Sequence, residues 1–217
     1  MSTPSKIYLY HLVAMDCLPR IVEREAIEPE GRQSKGRPAH EQPVHQCGVH
    51  ARLSERRSRR TVPCANEGRL CDYVSFHFGP RAPILQAIHR GMVQGYEQGQ
   101  KPLIHLVTRV QLVADRELTF AFTDRHAVLA YAHFYDDLRA IDHVDYGLMR
   151  ALHWHETDQH PQRKERRQAE FLVHESVPFD LVGAVGVIDE EAKHRAEHHL
   201  EPLREAPPVI VKPDWYY

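Results

Sequence analysis

Residues 72–83, DYVSFHFGPRAP, set the frame for the rest of the chain. The first seven read as a strand, with Phe76 and Phe78 spaced to share one buried face. Gly79-Pro80-Arg81-Ala82-Pro83 then reads as a turn that leads into a short helix ending near His89. The same stretch interleaves aromatics with Arg81. Nucleobases stack on aromatic rings and guanidinium planes, so the pattern also suits single-stranded nucleic acid, although Phe76 and Phe78 fit the core better.

Outward from this stretch, strands and helices alternate irregularly. Toward the N-terminus, 7–11 (IYLYH) reads as a strand, and Asp16 is placed to cap a helix running to about Arg24 with Leu18, Ile21 and Val22 inward. Residues 28–50 are rich in Gly, Pro, Gln and His without hydrophobic period, the mark of a long loop that is either functional or disordered. The basic stretch 50–60 reads as a short helix. Beyond a loop punctuated by Gly91, Gly95 and Gly99, strands are expected at 102–107, 118–123, 170–177 and 182–188, with a last one in the C-terminal PPVIVKPDWYY. Helices are expected over 125–135 (capped by Thr123-Asp124), 143–153 and 189–200, and 156–168 is polar without periodicity. The absence of steady βαβ alternation points to an α+β fold with a mostly antiparallel or mixed sheet.

Composition narrows the functional classes. A chain of 217 residues that is 42% hydrophobic suits one domain, 1–217, with a real core. No apolar run approaches the ~20 residues of a transmembrane helix, and MSTPSKIYLYH lacks the features of a signal peptide. A cytoplasmic setting with no membrane partner is therefore expected, and Cys17, Cys47, Cys64 and Cys71 read as free thiols. The net charge of -2 hides an uneven layout. Arg supplies 22 of the 28 basic residues; RLSERRSRR (52–60) carries five Arg against one Glu, and RKERR (163–167) four bases against one Glu. Guanidinium forks match phosphate oxygens, so these stretches could clamp a pyrophosphate or a nucleic-acid backbone, or simply form solvated helix faces.

The candidate chemistry is carboxylate chemistry. Glu170 stands between the basic RKERRQA loop and the apolar FLV strand, where it could project into a cleft or pair with Arg166 or Arg167 in solvent. His11 and His126 are placed to bond a ligand, or to be satisfied by backbone. The 17 His residues invite a metal, but no Cys-x-x-Cys or His-Glu-x-x-His spacing is present, and none is expected. Gly-rich dinucleotide loops, phosphate loops and serine-nucleophile elbows are absent, which removes hydride transfer, NTP hydrolysis and serine hydrolysis.

In order along nearly the whole chain, five motifs resemble the DarT family of DNA ADP-ribosyltransferase toxins. They are Ile7-Tyr8-Leu9-Tyr10-His11 with Asp16-x-Leu18; Glu55-Arg56-Arg57 with Val62-Pro63-Cys64; Asp72-Tyr73-Val74-x-Phe76-x-Phe78-x-Pro80-Arg81-x-Pro83; Phe122-Thr123-Asp124-Arg125-His126; and Lys164-x-Arg166-x-Gln168-Ala169-Glu170-Phe171-Leu172-Val173. The chain departs from the family pattern at Glu25-Ala26-Ile27, and at Ala82 and Ile84 in the turn.

The resemblance implies an ADP-ribosyltransferase (PARP-like) fold, a split, mostly antiparallel sheet around an NAD cleft. It also implies transfer of ADP-ribose from NAD, as substrate and without metal, onto a base of single-stranded DNA, thymidine in the first instance. A toxin role with a DarG-type macrodomain antitoxin as partner follows. Glu170 and Arg56 take the catalytic positions; His11, Leu12, Val13 and Arg56 contact NAD. Phe78, Arg81, His126, Arg163, Lys164, Arg166 and Arg167 face the DNA. Residues 33–56 form a lid over NAD, and 126–170 contain the substrate-facing loop. The chemistry fits these residue types: cleavage of the nicotinamide–ribose bond develops positive charge on the ribose, which a carboxylate stabilises. A guanidinium near the thymine imide favours its anion without itself taking the proton. Two alternatives remain open: the same fold acting on guanosine or RNA, and a non-catalytic single-strand-binding module.

Overall fold

The computed structural model describes residues 3–29, 55–93 and 96–217. The proposed lid, 33–56, lies outside these residues except for its last two positions, and so does Cys47. Eight strands form one sheet in the order β10-β9-β4-β1-β3-β7-β5-β6. They are β1 (Tyr8–Ala14), β3 (Tyr73–His77), β4 (Leu103–Arg109), β5 (Phe120–His126), β6 (Phe134–Tyr135), β7 (Ala169–His174), β9 (Ala184–Val187) and β10 (Val209–Val211). A two-residue ribbon joins β2 (Ala26–Ile27) to β8 (Val177–Pro178). Every pairing in the large sheet is antiparallel except β9–β10. The fold is the expected α+β arrangement.

The central strands are near-continuous apolar runs because both faces of the sheet are covered. In β4, LIHLVTR is buried from Leu103 to Thr108, and in β7, AEFLVH is buried from Ala169 to Val173. Phe171 stacks on Phe120 and meets Phe78 edge-on. Glu170 is the one charged side chain inside β7. The helix Glu190–Leu200 is capped by Asp189, whose carboxylate accepts the Ala192 N–H at 2.8 Å. It lays Ala192, Ala196 and Leu200 inward against the helix Leu18–Glu23.

The sheet is split at its centre. β1 pairs with β4 from Tyr8 to Ala14, but with β3 at the Tyr10–His77 position alone. Beyond it no ladder joins the two strands among the described residues. The Ser75 carbonyl there meets the His11 imidazole instead, with Nδ1 to O at 2.8 Å. A carbonyl can only accept, so Nδ1 carries the proton.

Several expectations change. The helix expected over 125–135 is absent: β5 runs through to His126, a chain of turns follows, and Phe134–Tyr135 pairs back on β5. Asp124 is therefore a strand residue, not a cap. Its carboxylate accepts from the Arg125 guanidinium and from the His133 N–H at 3.1 Å, which closes the turn. The helix expected over 143–153 shrinks to Tyr146–Arg150, capped by Asp145. Two short helices, Val110–Asp115 and Arg163–Arg166, stand where the sequence reading placed no helix.

Candidate active site

Glu170 lies on β7 directly across from His77 on β3, and His77 is also the residue that pairs with Tyr10. The carboxylate therefore sits level with the point where the sheet divides. It is 2% exposed. One oxygen, Oε2, accepts from Arg57 Nη1 at 2.7 Å. The other, Oε1, accepts from His126 Nδ1 and from the Ala127 N–H, each at 3.2 Å. The backbone N–H of Glu170 donates to Thr123 Oγ1 at 3.0 Å, and that hydroxyl donates on to the Arg125 carbonyl at 2.6 Å. The shift in register between Phe122 and His126 bends the end of β5 so that His126 and Ala127 reach the carboxylate.

Burial alone would raise the pKa of Glu170, because it disfavours the charged form. The Arg57 guanidinium and then the bond from His126 overcome it and hold the carboxyl well below the usual carboxylate range. The group is an ionised, desolvated acceptor at neutral pH, suited to hold a ribose hydroxyl and to stabilise positive charge at an adjacent carbon. Burial pushes the neighbouring His77 imidazole down to about 4, so it is neutral at pH 7. Its Nδ1 is buried without a hydrogen-bond partner among the described residues.

The sequence-derived residues separate into three groups. His11, Leu12 and Val13 line β1 just beyond the split, with Val13 buried and the other two partly so. Glu170 and His126 come together as described. Arg56 does not join them: it is exposed on a helical turn over 55–59, whereas the next residue, Arg57, points inward and carries the ion pair. Successive helical residues point about 100° apart, so Arg57 turns to Glu170 while Arg56 faces outward.

Among the expected DNA contacts, Lys164 is exposed while Arg163 and Arg166 are partly buried. Arg163 donates to the His153 carbonyl at 3.0 Å, and Arg166 lies 3.7 Å from Asp145. Phe78 is buried and packs edge-on against Tyr146 as well as Phe171, a core role. Arg167 also points inward, 4% exposed, with Nη1 on the Leu148 carbonyl at 2.6 Å and Nη2 on the Arg81 carbonyl at 3.1 Å. Reading the sequence alone missed Arg57, His77 and Thr123. For Arg57 and Thr123 the motifs contained the residue but not its direction; for His77 the signal was its place between two strand-face aromatics.

Among the described residues no group of three His, Cys, Asp or Glu side chains stands together as a metal cluster, and no helix is long and apolar enough to cross a membrane.

Comparison with known proteins agrees with this geometry. The family described as "ssDNA thymidine ADP-ribosyltransferase, DarT" matches residues 10–217. A DNA ADP-ribosyl transferase of Thermus aquaticus is 34% identical over 219 residues, spanning 100% of this chain and 92% of the relative. One of Thermus sp. (strain 2.9) is 38% identical over 171 residues, 78% of this chain and 80% of the relative. Among solved structures, Thermus sp. 2.9 DarT in complex with ADP-ribosylated ssDNA superposes with a TM-score of 0.89 at 33% identity, covering 100% of this chain and 99% of that one. The same protein in complex with NAD+ superposes with a TM-score of 0.85 at 32% identity, covering 100% of both chains.

Proposed function

The chain belongs to the DarT family of DNA ADP-ribosyltransferases, and from that premise we propose that it transfers ADP-ribose from NAD onto a thymine base of single-stranded DNA and releases nicotinamide. The observation that carries the reading is the ionised, buried Glu170 at the split of the sheet, held by Arg57 and His126. In the step proposed, the bond between the ribose anomeric carbon and the nicotinamide nitrogen breaks, and its electron pair leaves with nicotinamide. Glu170 stabilises the positive charge that builds on the ribose and orients one of its hydroxyls. A ring nitrogen of the thymine imide forms the new bond and gives its proton to solvent.

The residues around the split suit NAD as substrate. β1 beyond Tyr10 offers backbone groups not engaged by β3, and His11 and the buried Nδ1 of His77 supply ring nitrogens nearby. A neutral imidazole at position 77 does not oppose charge developing on the ribose. The guanidinium at the reacting centre is Arg57; as a permanent cation it favours the thymine anion rather than accepting the proton. Lys164 and the arginines of the short helix before β7 lie on the DNA side, and a DarG-type macrodomain protein is the partner that would reverse the modification.

Mass spectrometry of single-stranded oligonucleotides incubated with NAD and the protein tests the reaction directly. A mass gain of one ADP-ribose on thymidine-containing strands is expected, absent with Glu170→Gln. Labelling of strands without thymidine, or of RNA in preference to DNA, would move the acceptor to another base or polymer. Full labelling by Glu170→Gln would remove the carboxylate from the reaction. Growth arrest on expression, relieved by a co-expressed macrodomain partner, tests the toxin role.

A further inference from the structure

The end of the sheet far from Glu170 carries a free edge and a groove that the proposed reaction does not use. β10 is the terminal strand of the large sheet, and its outer side pairs with no strand among the described residues. It runs parallel to β9 from Val209 to Val211. The Pro208 carbonyl accepts from the Val185 N–H at 3.0 Å, and the Lys212 N–H donates to the Val187 carbonyl at 2.8 Å. Backbone groups alternate in direction along a strand. Pro208, Ile210 and Lys212 therefore face β9, and the N–H and C=O groups of Val209 and Val211 face outward. Pro207, Pro208 and Pro213 bracket this edge. Proline lacks the N–H that a ladder needs, so the brackets confine pairing to about three residues and block the open-ended association to which bare edges are prone.

Beside the edge, a groove of about 510 Å³ runs along the C-terminal end of the helix Glu190–Leu200. Leu200, Leu203, Pro207 and Val209 line it with apolar surface, and the exposed Glu197 and Glu201 add two carboxylates. Their neighbours are surface groups, Lys193 at 4.0 Å from Glu197 and His198 at 3.3 Å from Glu201, pairs of little strength. The carbonyls that end the helix add negative potential at the same place. An apolar channel with carboxylates beside it matches the side chain of Lys or Arg, a hydrocarbon stem with a cation at its tip. Five strand spacings of ~4.8 Å separate β10 from β7, so this end of the sheet is roughly 24 Å from Glu170 and an occupant leaves the reacting centre open.

We propose that the β10 edge and this groove form a docking site for a partner protein, which adds an extended basic segment as a further strand and lays Lys or Arg side chains against Glu197 and Glu201. Main-chain bonds to Val209 and Val211 supply the affinity, and the groove selects for a cation. The site is independent of the donor and the acceptor in the proposed reaction.

The test uses the full chain and a fluorescein-labelled, end-capped peptide of about seven residues in which Val and Lys alternate, read by anisotropy at ~150 mM salt. Saturable binding is expected, and none for the same peptide with Glu in place of Lys. Glu197→Gln combined with Glu201→Gln should weaken binding on the order of 10-fold, as for two exposed charge pairs. Val211→Pro removes an outward N–H that β9 does not use. It should weaken binding about 10-fold while circular dichroism, and any oligonucleotide labelling, stay as in wild type. Methylation of the peptide's backbone amides should abolish binding. No saturable binding at millimolar peptide, equal binding of the Glu peptide, or indifference to both sets of variants overturns the proposal. Self-association of the wild type in sedimentation, removed by Val211→Pro, would assign the edge to a second copy of the chain and overturns it as well.

Discussion

Replacing Arg57 with Gln isolates the ion pair on which the candidate site is built. The two side chains are 10% and 3% exposed and 2.7 Å apart, so the pair belongs with buried salt bridges rather than solvated ones. Removing one member of such a pair costs about 3–5 kcal/mol, because the remaining charge stays desolvated. Oε2 of Glu170 has Arg57 as its partner, and the two bonds to Oε1 are long, so little of that loss is recovered locally. At ~2–4 °C per kcal/mol for a chain of this size, the Tm of Arg57→Gln should fall by roughly 6–20 °C at pH 7. Arg56→Ala, at an exposed position, should stay within about 0.5 kcal/mol of wild type.

The pH dependence separates this cause from generic damage. In the wild type the folded pKa of Glu170 is depressed, so its contribution is present above the unfolded value near ~4.3 and is lost only as pH falls toward the much lower folded value. In Arg57→Gln the carboxylate is buried without its cation, and its pKa rises above the ordinary value instead. The gap between variant and wild type should therefore narrow as pH falls from 7 toward 4, where the variant's Glu170 takes up a proton. Adding Glu170→Gln to Arg57→Gln should recover stability, since no orphan charge remains. Thermal unfolding followed by circular dichroism over this range is the assay. A gap that is absent, or constant with pH, or a double variant less stable than Arg57→Gln alone, would refute the reasoning.

Three further outcomes are expected. Gly186→Ala should lower Tm measurably, by the ~1–3 kcal/mol typical of overpacking, because a Cβ there would meet the Trp215 ring at 2.3 Å; an unchanged melting curve would show that the C-terminal aromatics move aside freely. His105 is buried, with Nε2 donating to the Pro80 carbonyl at 3.0 Å, and burial pushes its pKa down to about 4. The unfolded chain then takes the proton first, so stability should fall as pH drops from about 6.5 to about 4, and His105→Gln should flatten that part of a Tm–pH profile. Thr123→Val, which removes the acceptor for the Glu170 N–H, should reduce oligonucleotide labelling and cost about 1–3 kcal/mol, while Thr123→Ser restores both; equal labelling by Val and Ser would deny the hydroxyl a positioning role.

What could be read from the sequence depended on whether the deciding contact was local. The strands at 7–11, 72–78 and 170–177 and the helix at 189–200 carry their own period or cap, and each is found close to its expected place. The helix expected over 125–135 failed because Thr123-Asp124 is good capping chemistry in isolation. Here Asp124 closes a turn onto His133 nine residues away, and β5 continues because β7 pairs beside it. Glu170 was legible as a carboxylate at a strand edge, but not as an ionised core residue. Its state depends on Arg57, 113 residues away in sequence, and on a bend in β5 that no local pattern records.

The adjacent arginines make the limit concrete. Arg56 and Arg57 have the same chemistry and nearly the same neighbours in sequence, so a motif assigns the pair and leaves its members interchangeable. The fold breaks that equivalence by rotating one toward Glu170 and the other toward solvent. The same rule governs Arg166 and Arg167: the first reaches Asp145 at the surface, and the second turns inward to brace the turn that carries Arg81. Both basic stretches thus divide between structure and surface one residue at a time. A loss-of-function scan that replaces whole clusters would confound the two roles. Paired single substitutions, with stability and labelling read separately, resolve them: Arg57→Gln and Arg167→Gln should lower Tm more than Arg56→Ala and Arg166→Ala do, and the reverse order would mean that the inward arginines are not what holds the site together.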